Sequence, residues 1–544
     1  MSRASRWPML IVLVAGVAAV MAVWMVAREG GGAVEPAPGG SYIEGATGQP
    51  QRINPLFASF NEADEALSRL VFAGLVRLGP NAAPEPDLAE SWDILDGGRR
   101  YVFHLRRGLL WQDGQPLTAR DVLFTFAAIR DPGFRGDPAL AALFSDVTVE
   151  APDPLTVEVT LPEPFAPFLA YTSIGIVPEH LLKGLDADAL FDAPFNQLPV
   201  GAGPYVVESV DSSAATLVAS ETYHLGKPFI ERIELRFYRD NGELLTALSR
   251  GDLDGAFFRP GLAAADRKAI DDDPRFDRED LPTDSFTLIY LNRQGPVFQD
   301  RKVRRALSLA LDRQRLLDVA LAGEGRAVDS PIPGGLWAYF DTGSALASDP
   351  EQAELLLDEA GWRREAGNLR AKAGEPLQIT LSTNDDTARI DTAEAVADMW
   401  RAIGVDVSVE VDGASAFVQD RLLPRKFEAA LFGIETGPDP DEYAFWHSSQ
   451  RAEGGRNLAD LADSDVDFAL ESARRNPDPV MRAQYYILFQ RAFQEAFPAI
   501  LLVQPSRSYA TTKELRGDRP VFLYDAGARF YDVQRWYLRV RNGE

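Results

Sequence analysis

The sequence predicts a mixed α/β protein built in more than one lobe. Three observations carry this expectation. The chain has 544 residues, and single hydrophobic cores stop growing at roughly 250–300 residues. Several short segments alternate apolar and polar residues with the period of a half-buried strand. Residues 377–411 read as strand, helix, strand, a βαβ unit with parallel strands.

The elements follow in chain order. "YVFHLR" at 101–106 predicts a strand with Tyr101, Phe103 and Leu105 on one face. Asp113-Gly114 then marks a turn. Thr118 followed by Asp121 predicts a capped helix start, the threonine oxygen taking an orphan N–H and the acid sitting at the positive helix end. Val122, Phe126 and Ile129 would face inward. "TVEVTL" at 156–161 alternates strictly, as a strand does. "GELLTALSRGDLDGAFF" at 242–258 predicts a helix stopped at Gly251 and then a strand. "DRKVRRALSLALDR" at 300–313 predicts one helix with Asp300 as N-cap and Val303, Leu307, Ala310 and Leu311 on one stripe. "DPEQAELLLDEAGW" predicts another, with Asp349 as cap, Pro350 at its first position and Gly361 past its end. Strands at 377–383 and 405–411 flank a helix over 389–403 that Gly404 closes.

The N-terminus carries a topological signal. Residues 7–27 form an uninterrupted apolar run, long enough at about 1.5 Å per residue to cross a hydrocarbon core of about 30 Å. Arg3 and Arg6 precede it, so residues 1–6 stay cytoplasmic and the rest is exported. The run reads as a transmembrane anchor or as a signal peptide; its length favours the anchor. Residues 28–40 are a flexible Gly/Pro-rich linker.

Composition excludes several functions. A net charge of −26 argues against nucleic-acid binding. The absence of cysteine removes disulfides, thiol nucleophiles and cysteine metal sites. His104, His180, His224 and His447 are scattered, with no metal-pair spacing. No phosphate-cradling loop, zinc-protease or nucleophile-elbow motif is present. The residues therefore nominate no catalytic group, no metal and no cofactor.

The run "LAESWDILDGGRRYVFHLRRGLLWQDGQPLTARDVLFTF" at 88–126 resembles the signature of the peptide/nickel family of extracytoplasmic solute-binding proteins, the receptors of ABC importers. Further likenesses follow in the family's order: "INPLF" at 53–57, "VGAGPY" at 200–205, "SRGDLD" at 249–254, "LNRQGPVFQDRKVRRALSLALDR" at 291–313, "AELLLDEAGW" at 353–362 and "PDP" at 438–440. The resemblance implies a two-lobed fold of the periplasmic-binding-protein kind that closes on ligand like a flytrap. It implies lobe I from 41–75, 198–285 and 505–544, an inserted domain at 76–197, and lobe II at 286–504. The 88–126 motif would then be scaffold.

In peptide-binding relatives, a loop after a lobe II strand supplies an aspartate for the ligand's amino group. Here that loop is "FGIETGPDPDEY" at 432–443, and the aspartate position holds Thr436, with Gly433, Ile434 and Glu435 beside it. A buried ammonium without a counter-charge costs several kcal/mol. A free N-terminus is therefore expected to bind poorly unless Glu435 or another acid compensates; a neutral, blocked or anionic ligand fits otherwise. The resemblance also points to Phe417 beside the ligand, to Arg421 one helical turn later as a carboxylate grip, and to Asn54, Phe57 and Trp446. The function implied is capture of a peptide or peptide-like solute and its delivery to ABC permease subunits, by a monomer, with no enzymatic step. A membrane-tethered sensor of the same fold, or a hydrolase on this scaffold, are the alternatives.

Overall fold

The computed structural model describes residues 38–342, 347–365, 368–452 and 454–539. The apolar run at 7–27 and most of the linker lie outside the described residues. Among the described residues no helix is long and apolar enough to cross a membrane.

A 12-stranded sheet runs through the whole molecule. Its long central strand, Ala499–Thr512, belongs to both halves. The C-terminal half of that strand pairs antiparallel with Phe276–Pro282 and with Gly255–Phe257. Beyond these lie Ser41–Thr47, Arg232–Tyr238, Ala214–Ala219 and Tyr205–Val210. The N-terminal half pairs with Ser285–Leu291, and beyond it lie Ala429–Glu435, Gln378–Asn384 and Asp406–Asp412. The expected βαβ unit is present: Gln378–Asn384 and Asp406–Asp412 run parallel around the helix Thr387–Ala402, which Gly404 at φ +92 closes.

Apolar layers cover both faces of each half. On the side of Ser285–Leu291, one layer holds Leu307, Val396 and Trp400, and the other holds Phe417, Trp446 and Phe489. On the other side, a small layer holds Leu244, Leu248 and Phe258, while a large one runs on without a break into the strands and helices of 76–197. That segment forms its own antiparallel sheet of Ala89–Leu95, Arg100–Leu105, Thr156–Thr160 and Thr148–Asp153, covered by the helix Ala119–Arg130.

The local reading of the joint at 101–130 matches the structure. Thr118 and Asp121 form a reciprocal capping box, and Val122, Phe126 and Ile129 are fully buried. Gln112 ties this region to the rest: its amide bonds Gly201 N–H and the carbonyls of Val71, Gly203 and Tyr205. The helix expected over 300–313 is instead two. Arg301–Leu309 ends, and the Asp312 carboxylate accepts from the backbone N–H groups of Gln314 and Arg315 to start Arg313–Leu321. An aspartate offers the backbone a competing partner, so it begins a new helix rather than extending the old one. All four stripe residues are still buried.

Candidate functional site

The two halves of the sheet meet at two short crossings, Thr283–Asp284 and Gln504–Pro505. Pro505 has no N–H to give the ladder, so regular pairing weakens where the halves part. Side chains take over. The buried Gln504 amide donates to the Thr283 carbonyl at 2.6 Å and accepts from Arg326 at 2.7 Å. Thr283 N–H donates to the Pro505 carbonyl at 3.0 Å. Few backbone segments cross, and they are held by bonds that can pivot, which is how a hinge is built. The halves also touch away from this point: Ala166 N–H donates to the Arg474 carbonyl, and the Arg474 guanidinium lies over Phe165 and Tyr443 and pairs with Asp441.

Next to the hinge is a cavity of about 390 Å³ that residues from both halves line. The helix Glu62–Val71 gives Glu65 and Arg69; the inserted segment gives Asp137, Tyr171 and Ile174; the far half gives Glu435 and Pro438; and Tyr524 and Asp525 complete the wall. Acids dominate. Arg69 is spent on Asp525 at 3.2 Å. Burial and the Asp525 charge push Glu65 up to about 8. At the hinge, Asp284 is pushed up to about 7 by burial and then by Glu435, although it accepts from Gly437 N–H. A site that holds carboxylates against their own repulsion favours an incoming cation.

A second cavity of about 640 Å³ lies mostly against the other half, with Ser285 and Pro505 beside the crossings also lining it. Phe286, Tyr290, Phe432 and Ile434 form its floor, from the paired strands Ser285–Leu291 and Ala429–Glu435. Leu422, Leu423 and Phe445 wall it, and Arg389 stands at the start of the helix Thr387–Ala402. Arg389 lies 4.5 Å over the Phe432 ring and donates to Asn384, with no carboxylate at ion-pair distance among the described residues. Burial holds its pKa below the ordinary guanidinium value. Gly433 makes room for it, since a Cβ there would come 3.3 Å from Arg389 Nη2. Glu435 lines both cavities and makes no ion pair among the described residues.

Of the residues singled out in the sequence, Gly433, Ile434 and Glu435 line the larger cavity together. Thr436 is next to them, but its hydroxyl and its N–H both donate to the Asp284 carbonyl, so it fastens the hinge. Phe417 is fully buried one layer behind Phe432, at 5.6 Å. Trp446 is fully buried behind Tyr290 and against Phe493. Asn54 is buried, bonded to Asn196 and to Leu56 N–H, and so shapes the loop whose Pro55 and Leu56 line the smaller cavity. Phe57 packs between Phe134 and Phe191. Arg421 is held by Asp412 and by Glu410 at 2.6 Å. Sequence reasoning missed Arg389, Asp284, Glu65 and Asp525. Arg389 had a usable signal: it opens the helix after a parallel strand, where open α/β sheets place their ligands.

Comparison with known proteins adds to this geometry. The family model of bacterial extracellular solute-binding proteins, family 5 Middle, matches residues 83–455. Protein XP55 of Streptomyces lividans is 33% identical over 458 residues, covering 83% of this chain and 81% of that protein. The structure of the oligopeptide-binding protein AppA from Bacillus subtilis in complex with a nonapeptide is 25% identical, with a TM-score of 0.66, covering 93% of this chain and all of that one (100%). NikZ from Campylobacter jejuni in complex with Ni(L-His) is 28% identical, with a TM-score of 0.67 and coverage of 91% and 99%.

Proposed function

The chain belongs to the bacterial extracellular solute-binding proteins of family 5, two-lobed receptors that capture a solute for an ABC importer, and from that premise we propose that its solute is a short peptide with free ends. The observation that carries this reading is the bipolar site. Glu435 lines both cavities with no ion-pair partner among the described residues, with Asp284 and an acidic wall beside it, and Arg389 offers a guanidinium with no carboxylate partner among them. An ammonium and a carboxylate on one ligand satisfy both. Thr436 does not supply the acid that the family's loop pattern calls for; Glu435 and Asp284 take over that task.

The mechanism is closure without a covalent step. A ligand that touches both halves favours the closed form by its differential affinity for it, and the permease reads that form. Lobe I comprises 41–75, 198–285 and 505–544, the inserted domain 76–197, and lobe II 286–504, with the pivot at Thr283–Asp284 and Gln504–Pro505. The apolar run at 7–27 keeps the receptor at the outer face of the membrane, beside its permease.

The test is native mass spectrometry of the full chain in detergent, followed by calorimetry with the tripeptide Ala-Ala-Phe, its N-acetyl form and its C-terminal amide. A peptide carried through purification, and weaker binding of both blocked forms, is expected. Equal affinity for all three forms would refute the bipolar reading.

A further inference from the structure

We propose that the 640 Å³ cavity is a specificity pocket for an aromatic side chain, borne by the same residue whose free carboxylate meets Arg389. This rests on the peptide reading above, and it assigns which peptides are taken.

The walls argue for an apolar guest. Phe286, Phe432, Phe445, Ile434, Leu422 and Leu423 all line the space. Arg389, Arg456, Glu435 and Tyr290 line it too, so a ring gains the hydrophobic contribution of the surface it turns toward the apolar side chains, while its polar atoms have partners to meet. The size argues for a large guest. Cavities of about 300–1,000 Å³ receive whole small ligands, so this one has room for a large side chain together with the backbone that bears it.

Polar groups then narrow the choice. Tyr290 lines the cavity, is almost wholly buried, and its hydroxyl makes no hydrogen bond among the described residues. Burial, and then the neighbouring Glu442, hold Tyr290 as a neutral phenol. A guest ring with a polar atom, as in tyrosine or tryptophan, can meet that hydroxyl, whereas phenylalanine leaves it unsatisfied. Arg389 lies over Phe432, one of the lining rings, so a carboxylate bound there leaves its own side chain next to the apolar walls. Glu435 joins this space to the acidic cavity, which fixes the polarity of the ligand.

Calorimetry on the full chain in detergent would compare Ala-Ala-Gly, Ala-Ala-Phe, Ala-Ala-Tyr and Ala-Ala-Trp, with indole-3-propionate as a carboxylate-and-ring probe that carries no peptide bond. The aromatic tripeptides are expected to bind about 10- to 100-fold more tightly than Ala-Ala-Gly, the gain from burying one large side chain, with Tyr and Trp ahead of Phe. Leu423→Trp, which fills the space from one wall, should erase that preference. Val418→Phe repeats the test from another lining position, should the first variant melt early. Equal binding of Gly and aromatic tripeptides overturns the pocket. If no tripeptide binds but indole-3-propionate does, and Leu423→Trp abolishes it, the pocket stands and the peptide reading falls. If none of the probes binds, both fall.

Discussion

Glu435→Gln isolates the charge on which recognition of a free amino group turns. An ammonium about 4 Å from a carboxylate gains ~1 kcal/mol at the dielectric of water and ~4 kcal/mol at an effective value of about 20. Glu435 is exposed, so desolvation on closure sets where in that range it falls. A loss of about 1–2 kcal/mol is expected, roughly 5- to 30-fold in Kd for Ala-Ala-Phe. The loss should itself depend on pH. Glu435 is one of the causes that push Asp284 up to about 7. Without it Asp284 ionises earlier and replaces part of the missing charge in mildly acidic solution. The loss should therefore be smaller near pH 6 than near pH 8. Titration calorimetry of wild type and variant at both pH values measures this directly, with N-acetyl-Ala-Ala-Phe as the control that Glu435 does not recognise. If the variant weakens the acetylated and the free peptide equally, or weakens neither, Glu435 is not the ammonium partner.

Three further expectations rest on separate parts of the structure. Because Asp284 binds its proton up to about pH 7, a bound ammonium must displace that proton; affinity for free-amine peptides should rise with pH toward about 7 and fall again above about 8, where the peptide's own ammonium loses its proton, and Asp284→Asn should remove the rise. Asp439 and Arg482 form a buried bidentate pair, at 3.0 and 2.8 Å, that also reaches the Tyr486 hydroxyl. Asp439→Asn strands the guanidinium and should cost about 3–5 kcal/mol in chemical denaturation; a loss below ~1 kcal/mol would contradict the pair's buried character. Gln112→Ala removes the bonds to Gly201 N–H and to the carbonyls of Val71, Gly203 and Tyr205, of which Val71 keeps Gly203 N–H, and should destabilise the protein by about 2–4 kcal/mol in chemical denaturation.

What the sequence revealed and what it hid divide along a physical line. Features set by neighbours a few residues apart were legible. The capping box at Thr118 and Asp121, the Pro350 and Gly361 ends of the helix Pro350–Glu359, and the parallel strands on either side of Thr387–Ala402 all follow from local backbone needs. The break at Asp312 was equally local, yet the apolar stripe through Ala310 and Leu311 ran across it; burial periodicity persists through a cap because the core on that side is continuous. The cleft obeys a different rule. Glu65, Asp284, Glu435 and Asp525 come from four distant stretches and share one region only because the strand Ala499–Thr512 serves both halves of the sheet. No spacing in the chain encodes that meeting. The family's loop pattern drew attention to Thr436, and the structure ties that residue to the pivot. Thr436 donates twice to the Asp284 carbonyl, which fastens the residue carrying the hinge carboxyl to the loop carrying Glu435. On the proposed reading, the acid that serves the ammonium lies across that hydrogen bond, at the pivot rather than at Thr436. A counter-charge at the pivot is felt by the ligand and by the closing motion together, so Asp284→Asn should weaken recognition and closure together if that reading holds.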